Sequence, residues 1–310
     1  MDRGKLNSNL LLLITSTIWG FGFVAQEMGS DHLGPNAFNG TRYSVGVVCL
    51  LIILLLWHRG RAMDGFRSRD WVKASLSAGL FLFFGSLLQQ AGIGYEATGP
   101  GKAGFITGLY VVIVPLLGLT LGHRTNAQMW AGVALATVGL WLLSFNLGNE
   151  QWAIRRGDLL VFFGAFCWAA HVLVIDRFAN RVSSLHLALG QVTVCAGASW
   201  VASALAEPME WASFRAAFLP ALYLGSMSIA VAFTMQIIGQ RNAHPTHASI
   251  IFAMEAVVGV FAGWLILHEQ LTQRELAGCL LMFCGMVLSQ LPVRLIRLGL
   301  TRRANDKPPA

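Results

Sequence analysis

Ten apolar runs, each close to the length that crosses a bilayer, fill this sequence almost end to end. A helix needs about 20 mostly apolar residues to span the hydrocarbon core. Such runs occupy residues 10–27, 37–57, 71–92, 103–122, 127–145, 158–175, 185–205, 216–239, 246–267 and 274–292. The longest pieces between and after them, 58–70 and 293–310, leave no room for a soluble domain. Charged residues make up 12% of the 310, about half of the roughly 25% usual in soluble proteins. A soluble fold of this size would lack polar side chains for its surface. That excludes a soluble enzyme, a nucleic-acid-binding domain and a disordered chain. The expected fold class is an all-α polytopic membrane protein.

The net charge of +7 does not point to nucleic acid, because the basic residues sit in short gaps between the apolar runs. It points to orientation, since Lys and Arg collect on the cytoplasmic side. With the N-terminus inside, 16 of the 22 Lys and Arg residues fall on cytoplasmic pieces. The rest are Arg42, Lys102, Arg155, Arg156, Arg215 and Arg274. Both termini are therefore expected in the cytoplasm. All five cysteines lie inside apolar runs without a CxxC spacing, so packing is expected rather than disulfides or metal.

The sequence also repeats itself. Trp19 matches Trp168 at an offset of 149, Gln89 and Gly92 match Gln236 and Gly239 at 147, and Gly132 and Gly139 match Gly278 and Gly285 at 146. The halves run over 10–146 and 157–292, followed by a basic tail, 293–310. Each half has five runs, an odd number, so the second half is expected upside down relative to the first. Inverted repeats of this kind belong to secondary transporters, with a site at mid-membrane between the halves. No Gly-rich phosphate loop ending in Gly-Lys-Ser/Thr is present.

Several short pieces now point to a family. They are Ile18-Trp19-Gly20-Phe21-Gly22-Phe23, Phe38-Asn39-Gly40-Thr41-Arg42-Tyr43, the run from Gly104 to Pro115, and Trp130-Ala131-Gly132 with Gly139. In the second half they are Trp168-Ala169, Ala253-Met254-Glu255-Ala256-Val257, His268-Glu269-Gln270-Leu271-Thr272, and Gly278 with Gly285. In this order and duplicated, they resemble the EamA-type ten-helix members of the drug/metabolite transporter superfamily over nearly the whole chain. The resemblance implies ten helices in two inverted five-helix repeats, a multi-pass place in a bacterial inner membrane, and export of small metabolites, amino acids among them. It also implies that the first four helices of each half surround a cavity while the fifth and tenth stand apart. The chain departs from that family at Ala256, where a proline often follows the ninth-helix glutamate. It departs again at His123-Arg124, where the second half has His268-Glu269.

Candidate substrate-binding residues follow from depth and repetition. Glu255 lies nine residues into the ninth run. Intramembrane carboxyl groups face a cavity or a partner, and they bind cations or carry protons; a structural glutamate fixing helix packing is the plainer alternative. Trp19 and Trp168 form a matched aromatic pair that either stacks on a substrate or packs. Arg42 can hold a carboxylate through two parallel hydrogen bonds, or snorkel outward. His171 follows Trp168 by three residues and shares its face, as a proton carrier or a bonded core residue. Gln89 and Gln236 bind polar groups or tie helix to helix. Tyr110 and Phe252 are candidate cavity walls. Glu269 with His268 reads as a loop tie. Pro115, after Gly104 and Gly108, marks a hinge in the fourth run only. The small-residue faces of the fifth and tenth runs pack within the chain or form a homodimer seam.

Neither a cofactor nor a metal is expected. An embedded enzyme would need clustered carboxylates or a nucleophile–base set, and the 15 acidic residues are scattered. A receptor would carry a signalling domain. The expected activity is secondary transport, most simply export of an amino acid or related amphipathic compound. The alternative is import or exchange of another small metabolite or drug. The partners are then the substrate, the bilayer and protons.

Overall fold

The computed structural model describes residues 3–58, 68–94, 100–144, 155–208, 210–266 and 272–291. The helices are α1 Arg3–Ser30, α2 Pro35–His58, α3 Arg69–Gly94, α4 Pro100–Gly108, α5 Tyr110–Thr120, α6 Ala127–Ser144, α7 Arg156–Phe178 and α8 Ser184–Ala206. They continue as α9 Trp211–Ala216, α10 Phe218–Tyr223, a π-helical segment Leu224–Ala232, α11 Phe233–Gln240, α12 Pro245–Phe252, α13 Met254–Ile266 and α14 Gln273–Gln290. No strand occurs among the described residues.

Eight helical segments are long and apolar enough to cross a membrane, and Ala127–Leu143 is a shorter apolar helix. This is a polytopic membrane protein. The tenth apolar run forms α14, whose first turn carries Arg274 and Glu275, so its apolar stretch is shorter than the run suggested. Large apolar side chains such as Leu55, Leu56, Leu205 and Leu280 point outward, the pattern of a surface bathed in lipid rather than water.

Inside the chain the helices meet at glycines. A Cβ at Gly92 would clash with Val161 and the Gly157 carbonyl, and one at Gly239 with Leu12 and the Ser8 carbonyl. Gly79 sits against Val194 and the Gln191 carbonyl, and Gly225 against Val45 and the Arg42 carbonyl. The glycine faces of α6 and α14 are used within the chain: Gly132 touches Gly285, and Gly139 touches Gly278. A homodimer through these helices would therefore use their other faces. At Gly139 a Cβ would lie 2.6 Å from the Gly278 oxygen. Gly139→Leu should therefore destabilise the protein by about 1–3 kcal/mol or more, as overpacking does. A thermal midpoint unchanged in detergent would contradict that packing.

Two rods are broken at corresponding places. The α4–α5 rod tightens at Leu109, where Leu109 N–H donates to the Ile106 oxygen and Val112 N–H to the Leu109 oxygen. The α12–α13 rod tightens at Ala253, where Ala256 N–H donates to the Ala253 oxygen. The break thus lies before Pro115 and recurs where no proline follows, so proline is not its common cause. The α8 end is tied to the α2 start by Glu207, whose carboxylate accepts Asn36 N–H (2.9 Å), Asn36 Nδ2–H (2.9 Å) and Ala37 N–H (2.7 Å). A carboxylate at a helix N-terminus is favoured there by the helix dipole.

Candidate functional site

The breaks and the π segment converge on a cavity of about 60 Å³, room for a few waters. Its walls come from α1, α2, α3, the two broken rods, α7 and the π segment with α11. Six of the residues singled out by sequence line it: Trp19, Arg42, Gln89, Tyr110, Trp168 and Glu255.

Glu255 lies in the first turn of α13, just past the break in its rod, and is 5% exposed. Tyr110 Oη–H donates to its Oε1 at 3.0 Å. The two stand at similar places in their rods, Tyr110 one residue past the break at Leu109 and Glu255 two residues past the break at Ala253. Arg42 is 5% exposed. Its Nε–H donates to Asn39 Oδ1 at 2.9 Å, and its guanidinium lies 5.6 Å from the Phe38 ring centroid and 5.3 Å from that of Tyr43. No carboxylate among the described residues comes within ion-pair distance of it. The cavity therefore offers one cation without a counter-ion and one carboxyl group on different helices.

Aromatic rings close the space between them. Trp19 lies 5.2 Å from Phe233 and 5.3 Å from Phe252, and Trp168 stacks on Phe233 at 6.4 Å with 14° between planes. Trp19 Nε1–H donates to the Ser228 carbonyl at 3.2 Å. Ser228 belongs to the π segment, a form of helix that often marks functional sites. Gln89 Nε2–H donates to Thr107 Oγ1 at 2.8 Å, and Tyr43 Oη pairs with Ser86 Oγ at 2.6 Å. Phe23, Gln26, Tyr43, Thr107, Ser228, Ile229 and Phe233 also line the cavity and were not singled out by sequence. Tyr43 adjoins Arg42 and Thr107 belongs to the Gly104–Pro115 run, so sequence placed both near the site. Nothing in the periodicity marks Ser228 or Phe233.

Three expected residues do not line the cavity. His171 is 1% exposed and its Nε2 pairs with Gln191 Oε1 at 2.8 Å. Gln236 is 1% exposed and neither amide atom finds a partner. Phe252 is fully buried behind Trp19. His268, Glu269 and the tail 293–310 lie outside the described residues.

At the other end of the broken rods, His123 Nε2 lies 3.6 Å from Asp176 Oδ2, and the His123 ring is 5.7 Å from that of His244. His244 Nδ1 accepts the Thr246 N–H and caps α12. Burial first, and His123 second, hold His244 below the ordinary histidine range, which suits a neutral acceptor. Among the described residues no group of three or more His, Cys, Asp or Glu is placed to hold a metal ion, and the cysteines are free.

With this geometry in hand, comparison with known proteins is direct. A family model described as the EamA-like transporter family matches residues 6–145 and again 155–291. YoaV of Bacillus subtilis, named as an uncharacterized transporter, is 25% identical over 90% of this chain and 94% of its own. A probable amino-acid metabolite efflux pump of Escherichia coli is 22% identical over 92% of this chain and 95% of its own. The aromatic amino acid exporter YddG of Escherichia coli is 24% identical over 95% of this chain and 99% of its own. One solved crystal structure superposes with a TM-score of 0.76 at 19% identity, covering 93% of this chain and 98% of that chain. That last likeness is one of fold alone.

Proposed function

Because the chain belongs to the EamA-like transporter family, we propose that it exports a small zwitterionic metabolite, an amino acid with an uncharged side chain, across a bacterial inner membrane by alternating access. The observation that carries this reading is the pairing of an unneutralised Arg42 with Glu255 around one aromatic cavity. A carboxylate meets the Arg42 fork bidentately, an ammonium is held at Glu255, and Trp19, Trp168 and Phe233 receive an apolar side chain. Phosphate carriers would need several inward cations, whereas Arg42 is the only Lys or Arg among the lining residues. The two relatives named for amino-acid efflux or export support the same class.

The plan of ten spans in two inverted halves has its own support. The family model matches twice. The glycine contacts also come in pairs: Gly92 on Gly157 and Val161 answers Gly239 on Ser8 and Leu12, at the offsets of 147 and 149 read from sequence. Two similar halves of opposite topology have two end states of comparable energy, open to either side. In this reading Glu255 is the carboxyl group that couples the exchange to protons. No enzymatic step, cofactor or metal enters this reading.

The test is the composition of the medium from cells expressing the chain and from cells expressing Glu255→Gln. One class of amino acid accumulating outside only with the unmodified chain supports export. Indistinguishable media contradict it.

A further inference from the structure

Beside the cavity lies a group of buried polar side chains, His171, Gln191 and Gln236, that do not line it, together with the indole N–H of Trp168, whose ring does. His171 follows Trp168 by three residues on α7 and holds Gln191 Oε1 of α8 at 2.8 Å. Its ring lies 5.7 Å from Phe233, the ring that also stacks on Trp168. Gln236 follows Phe233 by three residues on α11, and so lies on the same helix face. Exposures are 1% for His171, 0% for Gln191 and 1% for Gln236. Four atoms of this group have no hydrogen-bond partner: Trp168 Nε1, Gln191 Nε2, Gln236 Nε2 and Gln236 Oε1. Three of the four are N–H donors, and the helices offer them no acceptor. Buried polar groups are nearly always paired, so a set of orphans on the helices around Phe233 asks for an explanation.

The orphans stand where the cavity residues stand in the other half. Gln191 is offset by 149 from Arg42, Trp168 by 149 from Trp19, and Gln236 by 147 from Gln89. Gln89 is satisfied by Thr107. At an offset of 145 from Thr107 stands Phe252, which carries no acceptor, and Gln236 has no partner.

We propose that Trp168, His171, Gln191 and Gln236 form a second station for the transported molecule, the counterpart of the Arg42 cavity, which takes the substrate carboxylate when the other side of the protein is open. It rests on the transport reading above. The station is neutral where the first is cationic: the carboxylate meets amide and indole N–H groups instead of a guanidinium. Its hold is correspondingly weaker, because hydrogen bonds from charged donors are roughly twice as strong. Trp168 and Phe233 belong to both stations, so the side chain of the substrate keeps one aromatic wall while its polar end changes partners.

Gln236→Leu separates this role from packing. Leucine removes the orphan amide and keeps an apolar side chain of similar size, so a mere packing defect is relieved and the thermal midpoint holds or rises. The proposal predicts that counterflow of a labelled amino acid in proteoliposomes falls at least tenfold. Binding to the Arg42 cavity, read by labelled-substrate binding at equilibrium, stays within about twofold. Gln236→Met, which fills the space more flexibly, should behave alike. Counterflow within about twofold of the unmodified chain overturns the second station. So does a loss of counterflow that comes with a lowered midpoint in both variants, which would make Gln236 a packing element. An unmodified chain that moves no labelled amino acid overturns both readings, whereas movement unimpaired by Gln236→Leu overturns only the second station.

Discussion

Arg42→Gln is expected to lower amino-acid transport about a hundredfold or more while leaving the thermal midpoint unchanged or higher. Two charge-assisted hydrogen bonds to a carboxylate contribute about 1.5–3 kcal/mol each, and each 1.4 kcal/mol is a factor of ten. The stability half of the expectation is as informative as the transport half. A buried cation that ties helices together destabilises the fold when removed. Arg42 has a single side-chain bond, to Asn39 on its own helix, and no ion-pair partner among the described residues. Removing an uncompensated buried charge relieves a desolvation cost. Arg42→Lys should not rescue transport, since an ammonium cannot present the planar fork. A fall in the midpoint with transport retained would show that Arg42 is structural.

Glu255→Gln is the second large effect, with transport lower by about tenfold to a hundredfold, the worth of one charged hydrogen bond to an ammonium. Glutamine keeps the shape and can still accept from Tyr110 Oη at the position where Oε1 lies 3.0 Å away. The fold should therefore persist. What is lost is the negative charge and the ability to carry a proton. Any acceleration of transport by a pH gradient should vanish with it. Tyr110→Phe keeps the charge and should cost less. Equal transport and equal response to a pH gradient in Glu255→Gln and the unmodified chain would remove Glu255 from the mechanism.

Much of this architecture was legible because lipid imposes simple rules on sequence. Apolar runs of spanning length match most helix ends to within a few residues, the start of α1 excepted, and the offset matching Gly92 with Gly239 reappears in the glycine contacts. The tenth run forecast a longer apolar helix than α14, because the count did not weigh Arg274 and Glu275 in its first turn. Depth along a helix was legible and singled out Glu255 and Arg42, and repetition singled out Trp19; all three line the cavity. Rotation about the helix was not. The runs are apolar all round, so the face turned inward is set by packing, and Phe233 and Ser228 were missed for that reason. The π segment rotates the chain by a wider turn just before Phe233, and no residue type announces it. The helix break in the fourth run lies at Leu109, between Gly108 and Pro115, and the corresponding break at Ala253 has no proline following it.

The central claim is that this chain moves a zwitterion through the cavity between Arg42 and Glu255. Counterflow in proteoliposomes holding the purified protein tests it most directly, with labelled phenylalanine competed by unlabelled phenylalanine, by phenylalanine amide or by phenethylamine. The account predicts that phenylalanine is carried and that the two compounds without a carboxylate neither compete nor move. Phenylalanine counterflow no greater than in protein-free vesicles, or equal competition by the amine lacking a carboxylate, would contradict it.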